Sequence, residues 1–206
     1  GNQKRIHNLL IRSARQNPTS GCYFELRKYY LALSPEEVAE SPVLMSALSM
    51  LYSILLLPEQ SEYWYDQLKE FASQGDTPLH REAASRVIYL DIGLPHRDVK
   101  ALIPKFLELS KLLLSREIVL PEFSLTSCQP SVMNGGKDFC EWSKRDKELA
   151  LLIGKPVSML LGKYGKGLVN EALGESYFEK GTDDFAVHAY LSKAFLEAES
   201  NGKTEL

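Results

Sequence analysis

The run from Asn134 to Gly181 gathers glycines, lysines and aromatic residues, and within it Gly162-Lys163-Tyr164-Gly165-Lys166-Gly167 is the segment that most suggests a phosphate site. A loop that cradles nucleotide phosphates needs framing glycines, then a lysine for the phosphates and a hydroxyl for the metal. Gly162 and Gly167 have the right separation, but Leu168 and Val169 stand where the lysine and the hydroxyl belong. The reacting positions are therefore empty of chemistry, and the segment reads as a glycine-relaxed turn carrying solvated lysines.

Other candidate chemistry fails for similar reasons. His7, His80, His96 and His188 are scattered, with no i, i+4 pair and no H-E-x-x-H, so no metal site is expected. Cys140, in Phe139-Cys140-Glu141-Trp142, has no base beside it in sequence and reads as a buried, inert thiol. Glu36/Glu37 and Asp183/Asp184 are paired carboxylates, but both pairs stand at helix starts, where the helix dipole accounts for them. Ser13, Ser46 and Ser49 lack a G-x-S-x-G context. No catalytic residue, metal or cofactor is expected, and the chain reads as a non-enzyme.

The elements that would position any site are helices. Ser34-Pro35-Glu36-Glu37 is a capping box with proline at the first helical position, and Ser41-Pro42 repeats the start signal. The pattern predicts helices over Asn2 to Arg15, Gly21 to Leu31, Val43 to Leu57, Glu59 to Ser73 and from Asp76 or Thr77 to about Ile92. In the fourth, Tyr63, Trp64, Leu68 and Phe71 are expected on the buried stripe, with Glu62, Asp66, Lys69 and Glu70 facing water. Asp98 to Ser115 carries Pro104, a kink near Ile103, and Ile118 to Pro130 reads as an extended connection. Helices follow over Lys137 to Leu152, Pro156 to Leu161, Gly167 to Glu179 and Asp184 to Ser200.

Short links between such helices imply antiparallel hairpins, stacked so that each covers the apolar face of the last. The expected fold is all-α: a degenerate tetratricopeptide-like superhelix forming a single domain over 1–206, with a sub-boundary allowed near 116–136. Leu173, Gly174, Tyr177 and Gly181, then Ala186 and Tyr190, have the spacing of such a repeat, although Ala194 is one residue out of register and Asn170 replaces its tryptophan.

Composition sets the class. A net charge of -3 gives no general reason to bind nucleic acid. Three cysteines without a C-x-x-C fit a reducing cytosol, and no apolar run is long enough to span a bilayer, so a cytoplasmic, membrane-free protein is expected. A leading Gly1 in place of methionine suggests a piece of a longer protein. Two basic clusters, Lys4, Arg5, Arg12 and Arg15, then Lys137, Lys144, Arg145, Lys147 and Lys163, read chiefly as solvated helix faces with intrahelical ion pairs.

The runs YFELRKYYLALSPEEVAESPVLMSALSMLYSILLLPEQSEYWYDQL and PSVMNGGKDFCEWSKRDKELALLIGKPVSMLLGKYGKGLVNEALGESYFEKG resemble the middle region of LuxR-type, ATP-dependent bacterial regulators of the maltose-activator class. The resemblance implies a helical-repeat sensor between an NTPase and a promoter-binding helix-turn-helix. Neither of those parts has a recognisable motif in this sequence, so ATP hydrolysis and DNA binding would belong to a missing stretch. On this reading the partner is a small-molecule inducer or a regulatory protein, with self-association allowed. The alternative is a stand-alone tetratricopeptide-like scaffold. Mixed cationic and aromatic chemistry on a glycine-shaped surface marks Lys137, Trp142, Arg145, Lys163, Tyr164 and Lys166 as the expected contact residues.

Overall fold

The computed structural model describes residues 2–16, 20–97, 144–161 and 167–200. Every regular element among them is a helix, and the described residues contain no strand. The chain divides into two compact units: the described part of the first lies within Gly1–Arg97, and that of the second within Leu125–Leu206. The sub-boundary near 116–136, the Pro104 kink and the extended connection all lie outside the described residues.

The first unit contains α1 (Asn2–Gln16), α2 (Ser20–Glu25), α3 (Arg27–Tyr30), α4 (Pro35–Ala39), α5 (Pro42–Ile54), α6 (Pro58–Ser73) and α7 (Pro78–Gly93). Four of these begin with proline, whose missing N–H would be unpaired in a first turn anyway. The Ser34 hydroxyl accepts from the Glu37 amide at 3.3 Å while the Glu37 carboxylate accepts from the Ser34 amide at 2.9 Å, so the predicted capping box is formed. Thr77 caps α7 in the same way, through the His80 amide.

The core of this unit is α5. It packs against all six of the other helices, and every residue from Ser41 to Leu51 is buried, which explains why its apolar residues run all round the helix and not along one stripe. Serines let it approach α6 closely: the Ser61 hydroxyl donates to the Ser49 carbonyl at 2.7 Å. Helix α1 docks through Leu10 and Ala14, and the Tyr30 hydroxyl donates to the Leu10 carbonyl at 3.3 Å.

Local sequence reading is corrected at four places. The single helix expected over Gly21 to Leu31 is interrupted at Leu26, whose backbone (φ -89, ψ 7) departs from helical values. Helix α5 ends at Ile54, not Leu57, because Leu56 adopts a left-handed backbone (φ 59) in the link to α6. On α6 the buried stripe is Ser61, Trp64, Tyr65 and Leu68; Tyr63 points to solvent. In the second unit, the two helices expected up to Leu152 and from Pro156 are one continuous α8 (Asp146–Leu161). Pro156 has no N–H to give, so the Leu152 carbonyl loses its helical partner while the helix continues.

The second unit continues with α9 (Leu168–Lys180) and α10 (Asp184–Glu199), a hairpin joined through Gly181 in the left-handed conformation (φ 60). The Asp183 side chain caps α10 by accepting from the Ala186 amide at 3.0 Å. Leu173, Gly174 and Ser176 of α9 and Val187, Ala194 and Ala198 of α10 are buried. Gly174 makes the close approach possible: a methyl group there would lie 2.6 Å from Leu191 Cδ2 and 3.3 Å from its backbone nitrogen. Across the same seam the Tyr177 and Tyr190 rings lie 5.6 Å apart. The residues singled out by repeat spacing thus include several that hold this hairpin together.

Candidate functional site

Of the six expected contact residues, only Arg145 is described; Lys137, Trp142, Lys163, Tyr164 and Lys166 lie outside the described residues. Arg145 donates to Glu148 Oε2 from Nε at 2.9 Å and is paired with the same oxygen from a terminal nitrogen at 2.7 Å. Both side chains are well exposed, and Arg145 immediately precedes α8 while Glu148 lies in its first turn. The pair is solvated but stands at the helix start where the sequence predicts an intrahelical pair, and is worth about 0.3 kcal/mol. Arg15 of the first cluster behaves differently. It reaches Glu82 on α7, 67 residues away, at 2.9 Å.

Cationic and aromatic side chains do meet in the second unit, through residues other than those expected. Lys147 Nζ stands 5.2 Å from the Tyr177 ring centroid and Lys180 Nζ 5.9 Å. Asp146 Oδ2 accepts from Lys180 Nζ at 2.7 Å and from the Ser176 hydroxyl at 3.0 Å. Burial acts to raise the Asp146 carboxyl, but Lys180 and Ser176 outweigh it and hold the group below its usual range. The cluster fastens the start of α8 to α9. Beside it, burial and the neighbouring Glu175 push the Glu171 carboxyl up to about 7.

The outer side of α10 has a different character. Phe185, Ala189, Ser192 and Leu196 follow one another at i, i+4, i+7 and i+11 and all are exposed, Phe185 at 83% and Leu196 at 63%. At about 100° per residue these positions form one stripe, roughly opposite the Val187, Ala194 and Ala198 side that faces α9. Phe195, also exposed, flanks it. Two large apolar side chains are thus left uncovered at its ends, with Ala189 and Ser192 between them.

The first unit contains a polar network with no local signal in the sequence. His96 Nδ1 lies 2.7 Å from the Ser53 hydroxyl and His96 Nε2 lies 2.8 Å from Glu62 Oε1. Arg97 donates to both oxygens of Glu62, at 2.7 and 2.6 Å, and to Asp91 Oδ1 at 2.7 Å. Its guanidinium also stacks 3.9 Å over the Tyr65 ring. Arg97 is the main reason the Glu62 carboxyl lies below its usual range; burial opposes this and His96 assists.

Serine, histidine and glutamate in line invite comparison with a hydrolytic triad. There the hydroxyl meets Nε2 and the carboxylate meets Nδ1; here the two nitrogens are exchanged. Ser53 is also wholly buried, and its oxygen accepts from the His96 backbone amide at 3.2 Å. The arrangement is a clasp that fastens the chain after α7 to α5 and α6. A second clasp holds α1: Glu82 accepts from Arg15 and from Arg86, whose side chain is only 3% exposed. Burial pushes the Glu82 carboxyl up, but Arg15 and Arg86 together hold it below its usual range.

The described residues hold no group of three or more histidine, cysteine, aspartate or glutamate side chains suited to a metal ion. Among them, too, no helix is long and apolar enough to cross a membrane. Comparison with known protein families, characterised proteins and solved structures gives no match for this chain.

Proposed function

We propose that the chain is a non-enzymatic, partner-binding helical-repeat module, and that its work is regulatory, as the sensor region of a LuxR-type transcriptional regulator. The observation that carries the binding role is the uncovered Phe185–Leu196 stripe on α10. It is a convex ridge, suited to the groove of a protein partner; small-molecule inducers need a concave site. The regulatory role rests on the resemblance of the two sequence blocks quoted above.

Binding would act on a switch elsewhere by favouring one arrangement of the helices, since a partner shifts an equilibrium only by its preference for one state. Moving a population from 1:99 to 99:1 needs about 5.5 kcal/mol. Covering two large apolar side chains such as Phe185 and Leu196 supplies about 3–6 kcal/mol of gross burial, and only the part realised in one state alone acts on the switch. ATP hydrolysis and promoter binding would belong to other parts of the protein. The α9–α10 seam, built on Leu173, Gly174, Tyr177 and Gly181, equally favours a second reading, a tetratricopeptide-like scaffold that joins proteins without a role in transcription.

The test is a photo-crosslinking residue placed at Phe185 or Leu196 in the cell, with Glu59 as an exposed control. A specific protein adduct from the α10 positions and none from Glu59 supports the reading. Equal, diffuse labelling from all three, together with saturable binding of a metabolite to the purified chain, overturns it. Adducts with transcription machinery favour the regulator; adducts only with proteins unconnected to promoters favour the scaffold.

A further inference from the structure

The whole-chain charge of -3 conceals a segregation. The first 31 residues hold six lysines and arginines against one acid, Glu25, while the rest of the chain holds 18 against 26. Helix α1 contains no acid at all, so the intrahelical ion pairs expected of its basic cluster do not form. Arg15 is taken up by Glu82 of α7 at 2.9 Å. Lys4, Arg5 and Arg12 are exposed and, among the described residues, have no hydrogen-bond or ion-pair partner.

The outward face of α1 has a composition of its own. Arg5, Asn8, Arg12 and Gln16 follow at i, i+3, i+7 and i+11, and all four are exposed. At about 100° per residue they form one stripe, opposite the buried Leu10 and Ala14. Each is an arginine or a carboxamide, the side chains that read base edges in a major groove. Arginine pairs with O6 and N7 of guanine, and asparagine or glutamine with N6 and N7 of adenine. Leu9, 54% exposed beside the stripe, can meet a thymine methyl group. With 15 residues, α1 is about 22 Å long, enough to cross a groove about 12 Å wide. Helix α3 is fastened alongside by the Tyr30 hydroxyl, which donates to the Leu10 carbonyl at 3.3 Å, and it exposes Arg27 and Lys28.

We infer that the outward face of α1 enters the major groove of double-stranded DNA, with Arg27 and Lys28 of α3 on flanking phosphates. This goes beyond the partner-binding role of α10 and stands on a different unit. Charge complementarity calls for a polyanion, and two features single out duplex DNA. The apolar side of α1 is packed on α5 through Leu10 and Ala14, so it is not free to enter a bilayer as the apolar face of an interfacial helix must. The deep, narrow major groove of duplex RNA does not admit side chains carried on a helix, whereas that of DNA does. Glu82, the carboxylate that reaches α1, is already neutralised by Arg15 and Arg86 and adds little repulsion.

The experiment is fluorescence anisotropy of the purified chain with a mixed-sequence DNA duplex of about 20 base pairs, from about 50 to 200 mM salt. Binding should be micromolar at the low end and should fall with salt at a logarithmic slope of about -3 to -4. Arg5→Gln with Arg12→Gln should weaken it by roughly tenfold or more. Arg27→Gln with Lys28→Gln should reduce the slope by about 2, as expected of two phosphate contacts. Lys69→Gln, which removes an exposed charge on α6, should change affinity by less than about twofold. All these side chains are exposed, and unchanged helical circular dichroism will show that each variant is folded. No binding at about 100 µM protein and low salt overturns the inference. So does an affinity indifferent to Arg5 and Arg12, or equal binding to the same sequence as duplex RNA or to phosphatidylserine vesicles.

Discussion

Adding a methyl group at Gly174 sets two opposing effects against each other, and the structure decides the sign. In a helix interior, alanine is favoured over glycine by about 1 kcal/mol. The new Cβ, however, would lie 2.6 Å from Leu191 Cδ2 and 2.7 Å from Leu191 Cγ, closer than such contacts occur. Overfilling a packed seam costs about 1–3 kcal/mol. Leu191 is 38% exposed and can turn partly outward, which keeps the cost near the middle of that range. Gly174→Ala should thus destabilise the chain by about 1 kcal/mol. In a Leu191→Ala background the side-chain obstacle is gone and only the 3.3 Å approach to that residue's backbone nitrogen remains, so the same substitution should lie between neutral and stabilising by about 1 kcal/mol. Urea unfolding of the four proteins in the double-mutant cycle gives the coupling directly. If Gly174→Ala is equally stabilising in both backgrounds, the close approach of α9 and α10 at this point is wrong.

The acid groups give two further predictions. Glu171 is raised from 4.5 to about 7, so the folded chain holds its proton more tightly and stability falls as pH rises through that window. The full shift would be an upper bound of about 3 kcal/mol, and screening of a half-exposed carboxylate brings it to about 1. Glu171→Gln should therefore raise the melting temperature above pH 7 and leave it unchanged near pH 4; a gain equal at both would contradict the assignment. Glu62 has the opposite sign: its carboxyl is held low, so the stability it adds is present above the usual carboxylate range and is lost as pH falls through the lowered value. Glu62→Gln loses charge-assisted bonds to Arg97 and His96 and should cost about 1 kcal/mol at pH 7 after allowance for exposure. Amide exchange should quicken first at His96, whose amide is bonded to Ser53.

What was legible in the sequence is what local chemistry dictates. Ser34 with Pro35 and Glu37, Ser41 with Pro42, and Thr77 with Pro78 start their helices where expected, because a cap is settled within four residues. The left-handed turn at Gly181 was legible for the same reason. The burial phase of α6 was not: Tyr63 and Tyr65 are equally apolar, and which one turns inward is decided by α5 and by the Asp91–Arg97 group that holds Tyr65. The Ser53–His96–Glu62 clasp joins residues 34 and 43 positions apart, and the chain between them gives no hint of it. Arg86 could have been noticed, as an arginine four residues after Glu82 on the same helix, but not that Arg15 would share that carboxylate. The α10 stripe was written plainly as i, i+4, i+7 and i+11; only the packing of α9 on the opposite side shows that it faces outward.

Hydroxyl-radical footprinting compares this face directly in the isolated chain and in the cell. The account predicts that Phe185, Phe195 and Leu196 are readily oxidised in dilute purified protein and protected in the cell, while Tyr63 on the first unit reacts alike in both. Equal oxidation of the three α10 residues in the two settings would contradict the claim that this face meets a partner.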